Sequence, residues 1–312
     1  MTPELSVSLY GTGVVGTNVA KVLAEREGIA VLGPYGRDER EEALTGGSNV
    51  VVIATTSFLA DVADDIRMAI EASSNVICTA EEAAYPWTND PAIAAEFDAL
   101  ARSHNVTILG TGMNPGFAFD ALVLTACGYA WSVDSLRVER VVDLSGFGET
   151  VLRRIGVGHT PEEFEEGSHN GTITGHIGFP QSMQVVAAKL GVVIEHIERS
   201  VKPIFAREQL SCRAITVEPG SSAGFEQRYV AIVDSKPWFE ALFTGHVALW
   251  EIGREPRDEI FVEGPTPLHL AATPGMNPQI GSAGVVANSV RRVVEAAPGW
   301  TTVGDLPPAV PR

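Results

Sequence analysis

The sequence predicts an α/β protein: a doubly wound parallel sheet, followed by an α+β domain built on an open mixed or antiparallel sheet. Three observations carry that expectation. Apolar, β-rich runs alternate with amphipathic helical stretches over the first third of the chain. A glycine-rich turn joins the first such run to the first helix. From about residue 120 several strand-like runs follow one another with few helices between them. Alternation of strand and helix winds a parallel sheet, whereas runs of strands signal a separate layer.

The first strand, LSVSLY, runs into Gly11-Thr12-Gly13-Val14-Val15-Gly16 and the amphipathic stretch TNVAKVLAERE. This is G-x-G-x-x-G between a strand and a helix, the setting a Rossmann-type dinucleotide fingerprint requires. Gly11 permits the tight turn, Gly13 lets a pyrophosphate approach the backbone, and Gly16 allows close packing of helix on strand. The free N–H groups of the helix N-terminus favour phosphate. An acidic residue ending the second strand, IAVLGPYGRDER, would bind a ribose 2′-hydroxyl; Gly36 stands there instead, followed by Arg37 and, nearby, Arg40. Arg37 is therefore expected to meet a 2′-phosphate, which makes NADP the expected cofactor with NAD as the alternative.

The continuous run NVVVIATTSF suits a parallel strand covered on both faces, and it ends in Thr55, Thr56 and Ser57. A helix over 58–72 and a strand over 75–80 follow, the strand closing on Glu81 and Glu82. A helix near 90–104 leads to VTILG and then to Thr111-Gly112-Met113-Asn114-Pro115-Gly116-Phe117. Pro115 suits a first helical turn and Asn114 its cap, so a helix over 118–129 is expected to leave from there. Three strand ends thus deliver polar or glycine-rich residues to the carboxyl edge of the sheet, where ligands bind.

Beyond, LRVERVVDLS reads as a strand followed by Gly146-Phe147-Gly148, PEEFEEGSHNG as a capped acidic helix with a solvated face, and QSMQVVAAKLG as an amphipathic helix. HIERSVKPIFA, CRAITVEP, FEQRYVAIV, FEALFTGHVALWEI and LHLAAT read as strands. A helix over 281–297 should stop before Pro298-Gly299 and pack back on the first domain. The expected division is a dinucleotide-binding domain over 1–118 and a substrate and oligomerisation domain over 119–280, with the cleft between them.

The chain has 312 residues, 45% hydrophobic and 20% charged, enough for two domains of ordinary globular composition. No apolar run reaches the ~18–20 residues a membrane span needs. A formal charge of −17 disfavours nucleic acid, whose phosphates require a basic footprint. Three widely spaced cysteines (Cys78, Cys127, Cys212) form neither a disulfide framework nor a metal pattern, so a cytoplasmic setting is expected. His159 and His246 have no metal-ligand spacing, and no metal is implied.

The stretch NVICTAEEAAYPW places two carboxylates among alanines and aromatics without a cationic neighbour in sequence. Burial there would raise a glutamate pKa toward neutrality and fit it for proton transfer. Successive side chains of an extended segment face opposite ways, so one of Glu81 and Glu82 is expected to face the cleft; Glu81, next after the strand, is favoured. Asn114 is expected near cofactor and substrate. His176 and, less centrally, Pro115 and Phe147 are the candidates for lining the substrate pocket. Arg153-Arg154 offers a carboxylate partner or a surface pair.

GTGVVG, ATTSF, CTAEEAAYPW, LGTGMNPGF, GVGHTPEEFEEG and GHIGFPQS, in that order, resemble 2,4-diaminopentanoate dehydrogenase and the related native amine dehydrogenases, a group with a dihydrodipicolinate-reductase-like nucleotide domain. The resemblance runs from about residue 5 to the C-terminal helix. It implies reversible oxidative deamination: an amine, NAD(P)+ and water give a ketone or aldehyde, ammonia and NAD(P)H. It also implies that a glutamate of the Glu81-Glu82 pair holds ammonia and moves protons, and that the protein is a homodimer. The histidine-pair, lysine and Ser-Gly-Thr motif of dihydrodipicolinate reductase is missing, which argues against that activity. An imine or carbonyl reductase of the same fold, or a catalytically silent nucleotide-binding protein, are the alternative readings.

Overall fold

The computed structural model describes residues 5–311. Along the first part run β1 (Leu5–Tyr10), α1 (Val14–Ala24), β2 (Ile29–Tyr35), α2 (Arg40–Thr45), β3 (Val50–Ile53), α3 (Leu59–Glu71), β4 (Asn75–Cys78), α4 (Pro91–Ser103), β5 (Thr107–Gly110) and α5 (Ala121–Cys127). Then come β6 (Ser135–Asp143), α6 (Glu149–Arg154), α7 (Pro161–Asn170), α8 (Phe179–Leu190) and β7 (His196–Phe205). The short pair β8 (Leu210–Ser211) and β9 (Thr216–Val217) precedes β10 (Ser222–Val233), β11 (Lys236–His246), β12 (Arg257–Glu263) and β13 (Leu268–Ala272). α9 (Pro278–Glu295) and β14 (Gly299–Thr301) end the series.

These elements form two compact units. The first takes the described chain up to Leu124, then Pro180–Gly191, then everything from Pro278; the second takes Thr125–Phe179 and Val192–Asn277. Its helix at 180–191 gives the first unit a segment that lies, in sequence, inside the 119–280 stretch.

In the first unit the sheet order is β14-β5-β4-β3-β1-β2, with parallel pairing throughout. Strand alternation explains the continuous apolar runs. Val51 and Ile53 of β3, Val76 and Cys78 of β4 and Ile108 of β5 join one core with α3, Phe97 of α4 and Trp300. Val50, Val52, Ile77 and Leu109 point the other way, into a core with Val19 and Leu23 of α1 and Val286, Val290 and Val293 of α9. A strand buried on both faces needs apolar residues at every position. The order reverses at β1, which lies between β2 and β3, and this switch point opens a crevice at the carboxyl edge.

In the second unit the sheet order is β13-β12-β6-β11-β10-β7. Only the β6–β11 pairing is parallel, so the sheet is mixed. The β10–β11 hairpin turns on Asp234 and Ser235, both at positive φ (49° and 59°), as a two-residue hairpin turn requires. α7 carries the capping box that its sequence announces, with Thr160 Oγ1 accepting from Glu163 N and Glu163 Oε2 accepting from Thr160 N.

Several local expectations need correction. Asn114 and Pro115 do not start a helix: residues 114–120 form consecutive turns, the Asn114–Pro115 peptide is cis, and α5 begins at Ala121. Asp120 takes over the polar work of that start, accepting from Ala121 N at 2.6 Å and Gly116 N at 2.8 Å. CRAITVEP yields only the two residues of β9, and the FEALFTGHVALWEI strand stops at His246. β12 and β14 were not anticipated.

Candidate active site at the carboxyl edge of the first sheet

Each central strand hands its last ladder bond to the loop beyond it. Ala54 N donates to Tyr10 O, Thr79 N to Ile53 O, and Thr111 N to Cys78 O, at 2.8–2.9 Å. The segments 11–16, 54–57, 79–82 and 111–116 are thereby registered along one edge.

The glycine turn has the shape of a phosphate cradle. Gly11 lies at φ +127°, and a Cβ there would sit 2.2 Å from Ala54 O. A Cβ on Gly16 would sit 2.0 Å from Gly11 O. Both positions exclude a side chain for internal reasons. Gly13 differs: a Cβ there meets nothing within 4 Å, and it is the N-cap of α1 with no side-chain cap. The first N–H groups of an 11-residue helix therefore start beside a residue without a side chain or a side-chain cap, the arrangement a dinucleotide pyrophosphate fits. Thr12 and Val14 are exposed and Val15 is half-buried.

At the end of β2, Gly36 N donates to Glu39 Oε2 (2.9 Å) and Arg37 is exposed, with no ion pair to another described residue. Arg40 is engaged otherwise, its Nε 2.6 Å from Asp65 Oδ1. At the end of β3, Thr55 is exposed, Thr56 Oγ1 donates to Asp61 Oδ2 (3.1 Å), and the Ser57 carbonyl accepts from Glu82 N (3.3 Å).

Glu81 and Glu82 do not extend β4. They open a 3₁₀ turn, Glu81–Ala84, so strand alternation does not govern which of them faces which way. Glu82 is committed to structure: its Oε2 accepts from Leu59 N at 2.8 Å, the first amide of α3, and its Oε1 from Asn89 Nδ2 at 2.6 Å. A carboxylate at a helix N-terminus satisfies an orphan donor and complements the dipole. The turn itself is clamped. Trp300 Nε1 donates to Ala83 O at 3.1 Å, and a Cβ on Gly110 would fall 2.1 Å from Ala83 C. Tyr85, Trp87 and Trp300 stack edge to face beneath it. Cys78, at the end of β4, is buried; burial above all, then the charge of Glu81, pushes its thiol up to about 12, so it is an inert thiol.

Asn114 is buried, with its Oδ1 3.4 Å from Ser182 Oγ of α8. The Ser182 hydroxyl donates to Asp120 Oδ2 at 2.9 Å. Burial raises the Asp120 carboxyl pKa, against the pull of the donors around it, Gly116 N, Ala121 N and Ser182 Oγ among them.

His176 and Phe147 belong to the second unit. Phe147 is half-buried in the turn after β6, its N–H donating to Leu144 O. His176 packs against Phe179 and Phe243, with ring centroids 5.2 and 5.1 Å away. Gln227 brackets its backbone, Oε1 accepting from His176 N (2.8 Å) and Nε2 donating to His176 O (3.0 Å). Burial, reinforced by the charges of Arg140 and Arg154, depresses its pKa to about 4. Arg140 Nη1, Arg154 Nε and His176 Nδ1 are all buried without a hydrogen-bond partner. Arg140 Nη1 lies 3.4 Å from Asp258 Oδ1, and Arg140 Nη2 donates to Met276 O at 2.6 Å. Arg153, by contrast, is exposed, with Nε 3.6 Å from Glu149. Sequence reading missed Arg140; its signal was a cation at an inward position of an alternating strand. Among the described residues no three His, Cys, Asp or Glu side chains gather as a metal site.

The chain is similar to known proteins at three levels. The model of the 2,4-diaminopentanoate dehydrogenase C-terminal domain matches residues 117–312. A 2,4-diaminopentanoate dehydrogenase of Acetoanaerobium sticklandii is 30% identical over a 335-residue alignment that covers 99% of this chain and 94% of that relative. Among solved structures, an amine dehydrogenase from Mycobacterium smegmatis has the same fold with a TM-score of 0.86, at 24% identity over 100% of this chain and 98% of its own. A C. glutamicum DAP dehydrogenase in complex with DAP is more distant, with a TM-score of 0.50 and 13% identity over 99% and 95% of the two chains. The chain belongs to the 2,4-diaminopentanoate dehydrogenase family.

Proposed function

We propose that this family member is an NAD(P)-dependent amine dehydrogenase in which Glu81 carries the protons. The observation that supports the assignment is the place of Glu81, which opens the turn just beyond β4 on the same sheet edge as the glycine cradle. Glu82, beside it, caps α3 through the Leu59 amide and accepts from Asn89. When bound, the nicotinamide accepts hydride from the carbon that bears the amine. Glu81 removes the proton that frees the amine lone pair and passes it to solvent; as a carboxylate again, it takes a proton from water as the water oxygen bonds to the iminium carbon. It returns that proton to nitrogen as the C–N bond breaks, the hydroxyl of the carbinolamine gives up its own proton to become the carbonyl, and ammonia leaves. The products are a ketone or aldehyde, ammonia and NAD(P)H, and the reverse is reductive amination.

The test is ammonia-dependent NAD(P)H oxidation with a ketone panel. Glu81→Gln should lower the rate by ~10²-fold or more while the cofactor dissociation constant stays within about twofold. Undiminished turnover in Glu81→Gln would refute the role.

Three finer readings belong with this one. Gly36 in place of an acidic residue, with Arg37 next to it and exposed, supports NADP as the preferred cofactor. Buried N–H groups of Arg140 and Arg154 that make no hydrogen bond, Arg140 being ion-paired with Asp258, support a substrate that carries an anion such as a carboxylate; keto acids should then outperform ketones of equal size. On the second sheet, Phe261 lies between the Arg137 guanidinium (3.7 Å) and the His269 ring (4.2 Å), beside Glu139 and Glu259. A face of mixed charge around an aromatic is self-complementary, and it supports a homodimer, to be tested by light scattering with Phe261→Glu. Among the described residues no helix is long and apolar enough to cross a membrane, and a cytoplasmic setting remains part of the proposal.

A further inference from the structure

A chain of side-chain hydrogen bonds runs from Glu82 to a buried acceptor that has no partner. Glu82, as a carboxylate, can only accept. Its Oε1 therefore requires the Nδ2 end of Asn89, which donates to it at 2.6 Å. That turns Asn89 Oδ1 outward, where it accepts from Gln181 Nε2 at the start of α8. Gln181 is in turn fixed with Nε2 toward Asn89, and its Oε1 is left buried and unpartnered on a side chain only 3% exposed. The polarity of each amide follows from the one before it.

A second orphan is tied to the next residue of α8. The neighbouring residue, Ser182, gives its hydroxyl proton to Asp120 and lies 3.4 Å from Asn114 Oδ1. Asn114 Nδ2 is buried and makes no hydrogen bond. The loop that carries Asn114 leaves the end of β5, the edge where the glycine cradle also lies. An unpaired acceptor and an unpaired donor, both buried, are costly to the fold unless a ligand pairs them. A planar primary carboxamide offers the complementary set, an N–H donor and a C=O acceptor on one carbon.

We infer that Gln181 and Asn114 seat the nicotinamide carboxamide, Gln181 Oε1 accepting from its NH2 and Asn114 Nδ2 donating to its oxygen. Glu82 and Asn89 are positioning residues that fix the direction of the Gln181 amide. The inference rests on the nicotinamide-dependent reading above and assigns Glu82 a part in cofactor orientation in place of proton transfer.

The experiment is calorimetric titration with whichever of NAD+ and NADP+ binds more tightly, and with its 3-acetylpyridine analogue, which replaces the NH2 by CH3. The wild-type protein should prefer the carboxamide by ~10-fold or more, the equivalent of one hydrogen-bond donor facing a buried acceptor. Gln181→Met, near in volume, should bind both within about twofold of each other. Asn89→Ala, which leaves Gln181 free to rotate, should fall between the two. Equal binding of both dinucleotides by the wild type, or an unchanged preference in Gln181→Met, overturns the assignment. Absence of binding by any dinucleotide overturns the reading on which it rests.

Discussion

Replacing His176 by asparagine should flatten the acid limb of the protein's stability curve. The unfolded chain binds a proton on histidine near pH ~6.5, whereas the folded ring, buried among Phe179 and Phe243 and next to Arg140 and Arg154, does so only at about 4. Folding thus favours the neutral ring. Its contribution is fully present above pH ~6.5 and is lost as the pH falls through about 4. The gap of about 2.5 units corresponds to ~3.4 kcal/mol in full. About 3 kcal/mol of it should disappear between pH 7.5 and 4, and about 2 kcal/mol already by pH 5. Urea unfolding followed by circular dichroism at pH 7.5, 6, 5 and 4 measures this for both proteins. Carboxylates elsewhere titrate in both, so the difference between the two curves isolates the ring. The wild type should lose ~3 kcal/mol more than His176→Asn across the range. Parallel curves would show that the ring is not held neutral, and the argument from its surroundings would fail.

Three further outcomes follow from the geometry. Gly13→Ala should fold with its thermal midpoint nearly unchanged, because a Cβ there meets nothing, yet bind dinucleotide ~10-fold or more weakly; Gly16→Ala, whose Cβ would sit 2.0 Å from Gly11 O, should lose stability as well. Arg37→Ala should reduce the NADP+ over NAD+ preference by ~10-fold in the ratio of dissociation constants, the size of one charge-assisted hydrogen bond. Asp258→Ala leaves the buried Arg140 without its counter-ion and should cost ~3–5 kcal/mol by chemical denaturation; an effect below ~1 kcal/mol would mean that the guanidinium is solvated.

The parts of the fold legible in the sequence are those fixed by local periodicity. The apolar runs of β3, β4 and β5 and the glycine turn after β1 identify both the sheet and the edge where its strands deliver polar residues. β12 was legible in principle, since Asp258, Ile260 and Val262 alternate inward, but the charged residues between them disguised it. β14 has only three residues, and its strand character comes from pairing with β5 rather than from its own composition. The candidate site divides in the same way. That a glutamate pair follows the apolar run of β4 is a sequence fact; that Glu82 is spent on Leu59 and Asn89 depends on residues 23 positions before it and 7 after it meeting at one carboxylate. Gln181 and Ser182 read as the polar face of an amphipathic helix. Their burial comes from α8 joining a unit most of whose sequence lies elsewhere.

That discontinuity has a consequence for how the protein is made and rebuilt. The sheet of the first unit begins at residue 5 and is finished by a strand at Gly299–Thr301, and Trp300 of that strand holds the carbonyl of Ala83. A ribosome must emit the chain past residue 300 before the turn bearing both glutamates can be clamped. Until then the β5 edge lacks its neighbour, and the apolar faces later covered by α9 stay open. Contacts of such sequence separation slow folding and prolong exposure to aggregation. The same topology marks the cut points for a graft: replacing Thr125–Phe179 and Val192–Asn277 together would exchange the whole second unit and leave every hydrogen bond described at the sheet edge with its native partners.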